Sequence, residues 1–331
     1  MRILRARRLS VEATVTVVIP CYNYGHFLPA LVADVLAQNR VNVRVIVVDD
    51  ASTDDSASVA ARLAAADGRV RVVSHDSNKG HITTYNDGLA LIETEFAMLL
   101  SADDLIAPDA LARATDLMLA NPSVGMVYGH PKDFSAPEEL EHYHTSAITT
   151  WTVWRGHEWI RLACRRGRNF ILSPEVVMRT AAIKEIGGYN QRLPHSGDLE
   201  YWLRTAATWD VGRINGPTQA YYRVHGQNMH LAQFATMAVD LKHRLEAFQV
   251  LDSPAVTKHL KAAPQLLARA RGAMAREALK LAERELAQGA NPQSAANLLD
   301  FARTVPERAA VRRRTARLRR KLRQAADGIP P

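Results

Sequence analysis

The chain has 331 residues, 47% hydrophobic and 23% charged, with a formal net charge of +8. That balance is ordinary for a soluble globular protein and provides core enough to fold without staples. Its two cysteines, Cys21 and Cys164, exclude a disulfide framework and a cysteine-based zinc site, and no apolar run reaches the length of a membrane span.

The opening MRILRARRLS carries four arginines but lacks the apolar stretch of a signal peptide. A cytoplasmic location is the expectation, peripheral at the inner face of the membrane if the basic ends meet lipid. Residues 1–12 are read as a basic N-terminal segment. Residues 15–19 are a β-branched run ending at Pro20, the pattern of a buried strand. A helix follows over 26–38, with Phe27, Leu31, Val35 and Leu36 at helical spacing. A second strand over 43–48 ends in Asp49-Asp50. Ser52 or Thr53 caps the next helix, 54–65. Strands are predicted at 70–73, 96–100 and 124–128, with helices at 82–92 and 108–120. Strands this apolar, alternating with helices, predict a mostly parallel sheet covered on both faces.

From about 130 to 172 the pattern weakens, although Trp151, Trp154 and Trp159 cluster there. A helix resumes over 180–186 and stops at Gly187-Gly188. Another begins near Asp198, and 221–225 reads as a late strand. Beyond 231 the chain is Ala-, Leu- and Arg-rich with helical periodicity, broken at Pro254, Pro264, Pro292 and Pro306. Ten Arg or Lys stand against Glu307 alone between Arg303 and Arg323. That tail reads as a solvated helix or as one facing an anionic membrane surface through a thin stripe of Val311, Leu318 and Leu322. Nucleic acid is the least supported partner, since no reading module accompanies the charge.

In such a sheet the ligand crevice lies beyond the carboxyl ends of the strands. Four polar segments fall there: Cys21-Tyr22-Asn23, Asp49-Asp50, residues 75–80, and Ser101-Ala102-Asp103-Asp104. Neither a GxGxxG, a Walker loop nor a nucleophile elbow is present. Adjacent carboxylates at a strand end serve either capping and solvation or a divalent metal that neutralises a diphosphate. Tyr22 suits stacking on a base, and Asp50 suits a base N–H. Asp198, at a helix start, suits removal of a proton from an acceptor hydroxyl.

The motifs Val17–Asn23, Val47–Asp54, Asn78-Lys79-Gly80 and Ser101–Asp104, in this order and spacing, resemble family 2 glycosyltransferases of GT-A fold. The likeness continues through 183–189, Gly197–Trp202 and Tyr222–His225 and covers roughly residues 13–230. The resemblance implies a Rossmann-like α/β GT-A domain over 13–230, followed by a helical, Arg-rich region over 231–331. It implies inverting sugar transfer from a nucleotide-diphosphate donor, a UDP-sugar being favoured, to a glycan or lipid-linked acceptor, with Mg2+ or Mn2+. Residues implied at the nucleotide-sugar are Pro20, Tyr22, Asn23, Asp50, Ser52, Lys79, Gly80, Ala102, Asp103 and Arg223. Asp103 and His225 are implied at the metal, Asp198 as the base, and Glu200 and Trp202 on the acceptor side. Three positions depart from the pattern: Ser101 stands where the first Asp of a DxD motif is usual, Gly197 where a Glu precedes the base, and Tyr85 where an Arg is common. A non-catalytic nucleotide-sugar-binding protein and a nucleotidyltransferase are the rival readings. The second would want a Gly- and Lys/Arg-rich phosphate loop after the first strand, which Cys21–Gly25 does not supply.

Overall fold

The structure, a computed structural model, describes residues 1–141, 149–226, 236–288, 292–304 and 309–326. These form two compact units. The first comprises Met1–Trp159, Ile171–Pro194 and Thr208–His225; the second comprises Ile160–Phe170, His195–Ala207 and the described part of Gly226–Pro331.

The first unit is built on twelve strands: β1 (Arg2–Arg5), β2 (Ala13–Cys21), β3 (Val41–Asp49), β4 (Val70–Ser74), β5 (Phe96–Leu99), β6 (Leu105–Ile106), β7 (Val124–Tyr128), β8 (Pro131–Phe134), β9 (Thr150–Trp154), β10 (Val177–Arg179), β11 (Asp210–Asn215) and β12 (Ala220–Arg223). Nine make one sheet in the order β1-β9-β11-β7-β10-β5-β2-β3-β4. The half that ends in the polar segments, β5-β2-β3-β4, is wholly parallel. Its register sets Cys21 opposite Asp49 and Asp49 opposite Ser74, so three strand ends finish side by side.

The helices of this unit are α1 (Leu28–Leu36), α2 (Ser56–Ala66), α3 (His81–Ala90), α4 (Ala110–Ala120), α5 (Glu138–Glu141) and α7 (Thr180–Ile186), while α6 (Gly156–Arg166) runs from this unit into the second. Alternate residues of β2 serve opposite layers, because side chains alternate across a strand. Val15, Val17 and Ile19 join the core with Leu28, Leu31 and Val35 of α1 and Leu111 and Leu117 of α4. Val18 instead meets α3 at Gly88, where a Cβ would lie 2.3 Å from the Val18 side chain. Only glycine permits that approach. Each fully buried Val or Leu contributes about 1.5–3 kcal/mol, which is why the parallel strands read as continuous apolar runs.

Six strands, β1, β6, β8, β9, β10 and β11, escaped the sequence pattern. β10, three residues long, runs antiparallel between β5 and β7. β1 pairs antiparallel with β9, Arg2 opposite Val153 and Arg5 opposite Thr150, so the basic N-terminal residues supply an edge strand. A small second sheet, β6-β12-β8, sets Tyr221 opposite Leu105 and Arg223 opposite Phe134.

The second unit is helical. It holds α8 (Gly197–Thr208, save its last residue) and the C-terminal helices α9 (Met237–Phe248), α10 (Pro254–Thr257), α11 (Ala263–Ala287), α12 (Pro292–Thr304) and α13 (Ala309–Ala326). Leu267, Ala270, Met274, Ala278 and Ala282 make a buried stripe along α11, and Ala295, Leu298, Leu299 and Ala302 one along α12. Leu318 of α13 is fully buried and Leu322 is half-buried, whereas Arg313, Arg317, Arg320 and Lys321 are exposed. The side chain of Val311 lies outside the described residues. Among the described residues, no helix is long and apolar enough to cross a membrane.

Candidate active site

The carboxylate of Asp50, at the end of β3, is 3% exposed and heavily employed. Its Oδ1 accepts from the Lys79 N–H at 2.8 Å and lies 2.7 Å from His75 Nδ1; its Oδ2 accepts from the Gly80 N–H at 2.9 Å. Burial pushes this carboxyl up, but the bonds from His75, Lys79, Thr84 and Gly80 outweigh it and hold it below its ordinary value. The 75–80 loop is thus pinned to β3 by one ionised group. Gly80 sits at φ +83°, a conformation that side chains rarely adopt, and so delivers its N–H to Asp50 at the start of α3. His75 Nε2 lies 3.1 Å from the Asp87 carboxylate, which is also 3.6 Å from Lys79 Nζ.

A second clamp joins the ends of β2 and β3. Asn23 Oδ1 accepts from Thr53 N–H at 2.8 Å, and the Asn23 N–H donates to Ser52 Oγ at 3.0 Å. Asn23 and Ala51 both adopt left-handed backbone, φ 58° and 57°. Such strain persists only where the surroundings over-determine it and gathers at ligand sites. Pro20 is half-buried, Ala102 is buried, and Tyr22 is 44% exposed beside the clamp. Asp49 is the carboxylate that the motifs did not single out. It is 2% exposed; Oδ2 accepts from the Ser52 N–H at 3.3 Å, and Oδ1 is buried without a partner among the described residues. An unpaired buried carboxylate oxygen is costly, and Asp50, by contrast, has both oxygens committed.

The third cluster follows β5. Asp103 Oδ2 lies 3.0 Å from His225 Nε2. The Arg223 N–H donates to Asp104 Oδ1 at 2.9 Å, and Arg223 Nε donates to the Asp103 carbonyl at 2.7 Å. The Arg223 guanidinium sits between the rings of Phe27 and Phe134, 4.6 and 4.4 Å from their centroids. Burial pushes Asp104 well above the carboxylate range, and the neighbouring Asp103 charge adds to that. Burial lowers Arg223, while Asp103 and Asp104 oppose the shift. Residues 120 positions apart meet here because β12 lies against β6, whose chain continues directly from Asp104. Among the described residues no group of three or more His, Cys, Asp or Glu is placed to hold a metal. Asp103 and His225 nevertheless set one carboxylate beside one imidazole. Two protein ligands suit an ion that keeps most of its shell for phosphate oxygens and water, as Mg2+ and Mn2+ do in nucleotide sites.

Asp198 belongs to the second unit, in the first turn of α8, where a negative charge is favoured by the helix dipole. Glu200 and Trp202, expected on the acceptor side, are 4% and 2% exposed. Glu200 pairs within the unit with Arg204 at 2.8 Å. That ion pair commits the Glu200 carboxylate within its own unit, and the Trp202 ring stands edge-on to Tyr201.

Comparison with known proteins agrees with this architecture. The family model described as Glycosyl transferase family 2 matches residues 16–186. A glycosyltransferase of Nostoc sp., itself uncharacterised, is 27% identical over 232 residues, which is 66% of this chain and 67% of that one. Chondroitin synthase of Escherichia coli is 24% identical over 216 residues, 65% of this chain but only 29% of that much longer protein. The crystal structure of S. aureus TarS 1-349 with UDP-GlcNAc superposes with a TM-score of 0.63 at 18% identity, covering 96% of this chain and 92% of that one. The mannosyltransferase PcManGT of Pyrobaculum calidifontis with GDP-Man and Mn2+ gives 0.57 at 18%, covering 98% and 89%. These likenesses show the GT-A fold. The match to the family model spans more than half of the chain, which is therefore a glycosyltransferase belonging to Glycosyl transferase family 2.

Proposed function

We propose that the enzyme transfers a sugar with inversion from a nucleotide-diphosphate donor, a UDP-sugar by preference, to a hydroxyl of a glycan or lipid-linked acceptor. The observation that carries this reading is the Asp103–His225 pair beside strand-end loops that Asp50 and Asn23 hold in place. Support for the donor class comes from the UDP-GlcNAc and GDP-Man bound by the two structural relatives.

Tyr22 stacks on the base, lying flanked by Pro20. Asp50 accepts the base N–H and keeps the Lys79–Gly80 loop in shape, and Asp49 supports it from the end of β3. Asn23, Ser52 and Ala102 line the nucleotide, and Lys79 adds positive charge near it. Asp103 and His225 would hold Mg2+ or Mn2+, which would supply positive charge to the diphosphate leaving group. Arg223 fixes the Asp103 backbone and adds its charge on the same side. Asp198 takes the proton of the acceptor hydroxyl as its oxygen attacks the anomeric carbon from the face opposite the departing diphosphate. Charge at the sugar is oxocarbenium-like, as in glycoside hydrolysis, and no protein nucleophile is needed. Glu200 and Trp202 act on the acceptor side by supporting α8. In this division residues 13–230 are the transferase domain and 231–331 its helical region. The exposed arginines of α13 meet anionic lipid by charge alone, since Leu318 is spent on packing.

Thermal unfolding with UDP, GDP and dTDP, each with Mn2+ and with EDTA, tests the reading. A ligand bound only by the folded state raises the midpoint by mass action. The expected result is a metal-dependent rise with UDP, followed by UDP release when donor sugar and acceptor are supplied. A folded sample that shifts with none of the three overturns it, and binding without release favours a non-catalytic scaffold.

A further inference from the structure

A cavity of about 510 Å3 in the first unit shares no residue with the donor loops. Its walls include Arg7, Arg8, Arg40, Arg113, Asp109 and Asp116. The charges there do not balance. Asp116 uses both oxygens, one to accept the Leu9 N–H at 3.0 Å and the other to pair with Arg40 at 2.7 Å. That anchors the strap carrying Arg7 and Arg8 to α4 and leaves nothing for them. Both arginines are exposed and have no partner among the described residues. Arg113 donates only to neutral oxygens: Gln219 Oε1 at 2.6 Å, and the Pro108 and Thr218 carbonyls, each at 2.8 Å. Among the described lining residues, Asp109 is thus the one carboxylate not already paired with an arginine, against Arg7, Arg8 and Arg113. Among the described residues, non-glycine positions with positive φ fall in two places. Asn23 and Ala51 are at the donor loops; Arg40, φ 62°, and Asp109, φ 57°, line this cavity. Strain held in place again coincides with a concave, charged surface.

We propose that this cavity is a second binding site, which takes the phosphate or carboxylate groups of an anionic saccharide and so holds the acceptor away from the donor loops. Arginine forks recognise both oxyanions in bidentate fashion, and the volume falls within the range of small-ligand pockets. The anion site stands on the geometry; its assignment to an acceptor saccharide rests on the glycosyltransferase reading above.

Calorimetric titration of the full chain in EDTA with inorganic triphosphate and with trigalacturonate tests it. Binding of at least one probe is expected, weakening as salt rises. Arg7→Ala/Arg8→Ala should weaken it at least tenfold and Arg7→Glu/Arg8→Glu abolish it, both with an unchanged unfolding midpoint. Asp103→Ala and Arg313→Ala/Arg320→Ala should bind as the parent does. The proposal fails if neither probe binds, or if the Arg7/Arg8 variants bind normally. It fails also if only phosphatidylglycerol vesicles are bound, which marks a lipid surface. Binding that survives while no nucleotide shifts the unfolding midpoint keeps the anion site and removes its saccharide assignment.

Discussion

The strand ends of the first unit and the C-terminal helices of the second are both rich in charge, but they use it differently. Asp50 is nearly buried and is bonded to backbone N–H groups that arrive from a distant part of the chain. On the helices, Arg314 and Arg317 pair with Glu283, and Arg319 with Asp300, at sites open to water. A charge held in low dielectric by fixed donors defines a geometry; an exposed pair gains little Coulomb energy and pays side-chain entropy. The difference separates charges that fix the shape of the strand-end loops from charges that keep a helical surface wet.

Substitution at the first site should break this contrast most severely. Asp103→Ala should abolish metal-dependent donor binding, read as the loss of the Mn2+-dependent thermal shift with UDP. Asp198→Asn should lower turnover by about 10²–10⁴-fold while sparing donor affinity; normal turnover in that variant removes Asp198 as the base. Next in size is a pH effect on stability from Glu175. Burial pushes this carboxyl up to about 7, although it accepts the Leu172 and Gly129 N–H groups. Folding thus retains a proton that the unfolded chain releases near its ordinary value of 4.5. Stability falls as pH rises between those two values and levels off above, by at most about 3 kcal/mol. Denaturant titrations from pH 4.5 to 8 should show that slope in the parent and lose it in Glu175→Gln.

Smaller effects sharpen the comparison. Asp50→Asn should weaken UDP binding by about tenfold and lower the unfolding midpoint as the Lys79–Gly80 loop loses its ionised anchor. An unchanged affinity there would return the base contact to another residue. At the far end of the scale, Arg317→Ala/Arg319→Ala should cost less than about 1 kcal/mol by chemical denaturation, and that cost should vanish at high salt. A larger loss would mean that these exposed pairs are a working part of the helical unit.

The motifs at the ends of β2, β3 and β5 were legible in the sequence because each couples an apolar run to a polar stop, a pattern made by neighbours in the chain. The same local logic marked the helices of the C-terminal region. Hydrophobic periodicity thus determined the α/β architecture, the parallel core and the segments that line the crevice. Tertiary structure decided the rest. β10 is too short to show a period, and β1 becomes a strand only because β9 offers an edge. Which of Asp49 and Asp50 keeps an open oxygen depends on the 75–80 loop, some 25 residues further on. That Arg223 secures Asp103 while His225 faces its carboxylate depends on β12 pairing with β6. Sequence carries what a residue does with its neighbours along the chain; hydrogen-bond partners and unpaired charges are set by the neighbours that folding supplies.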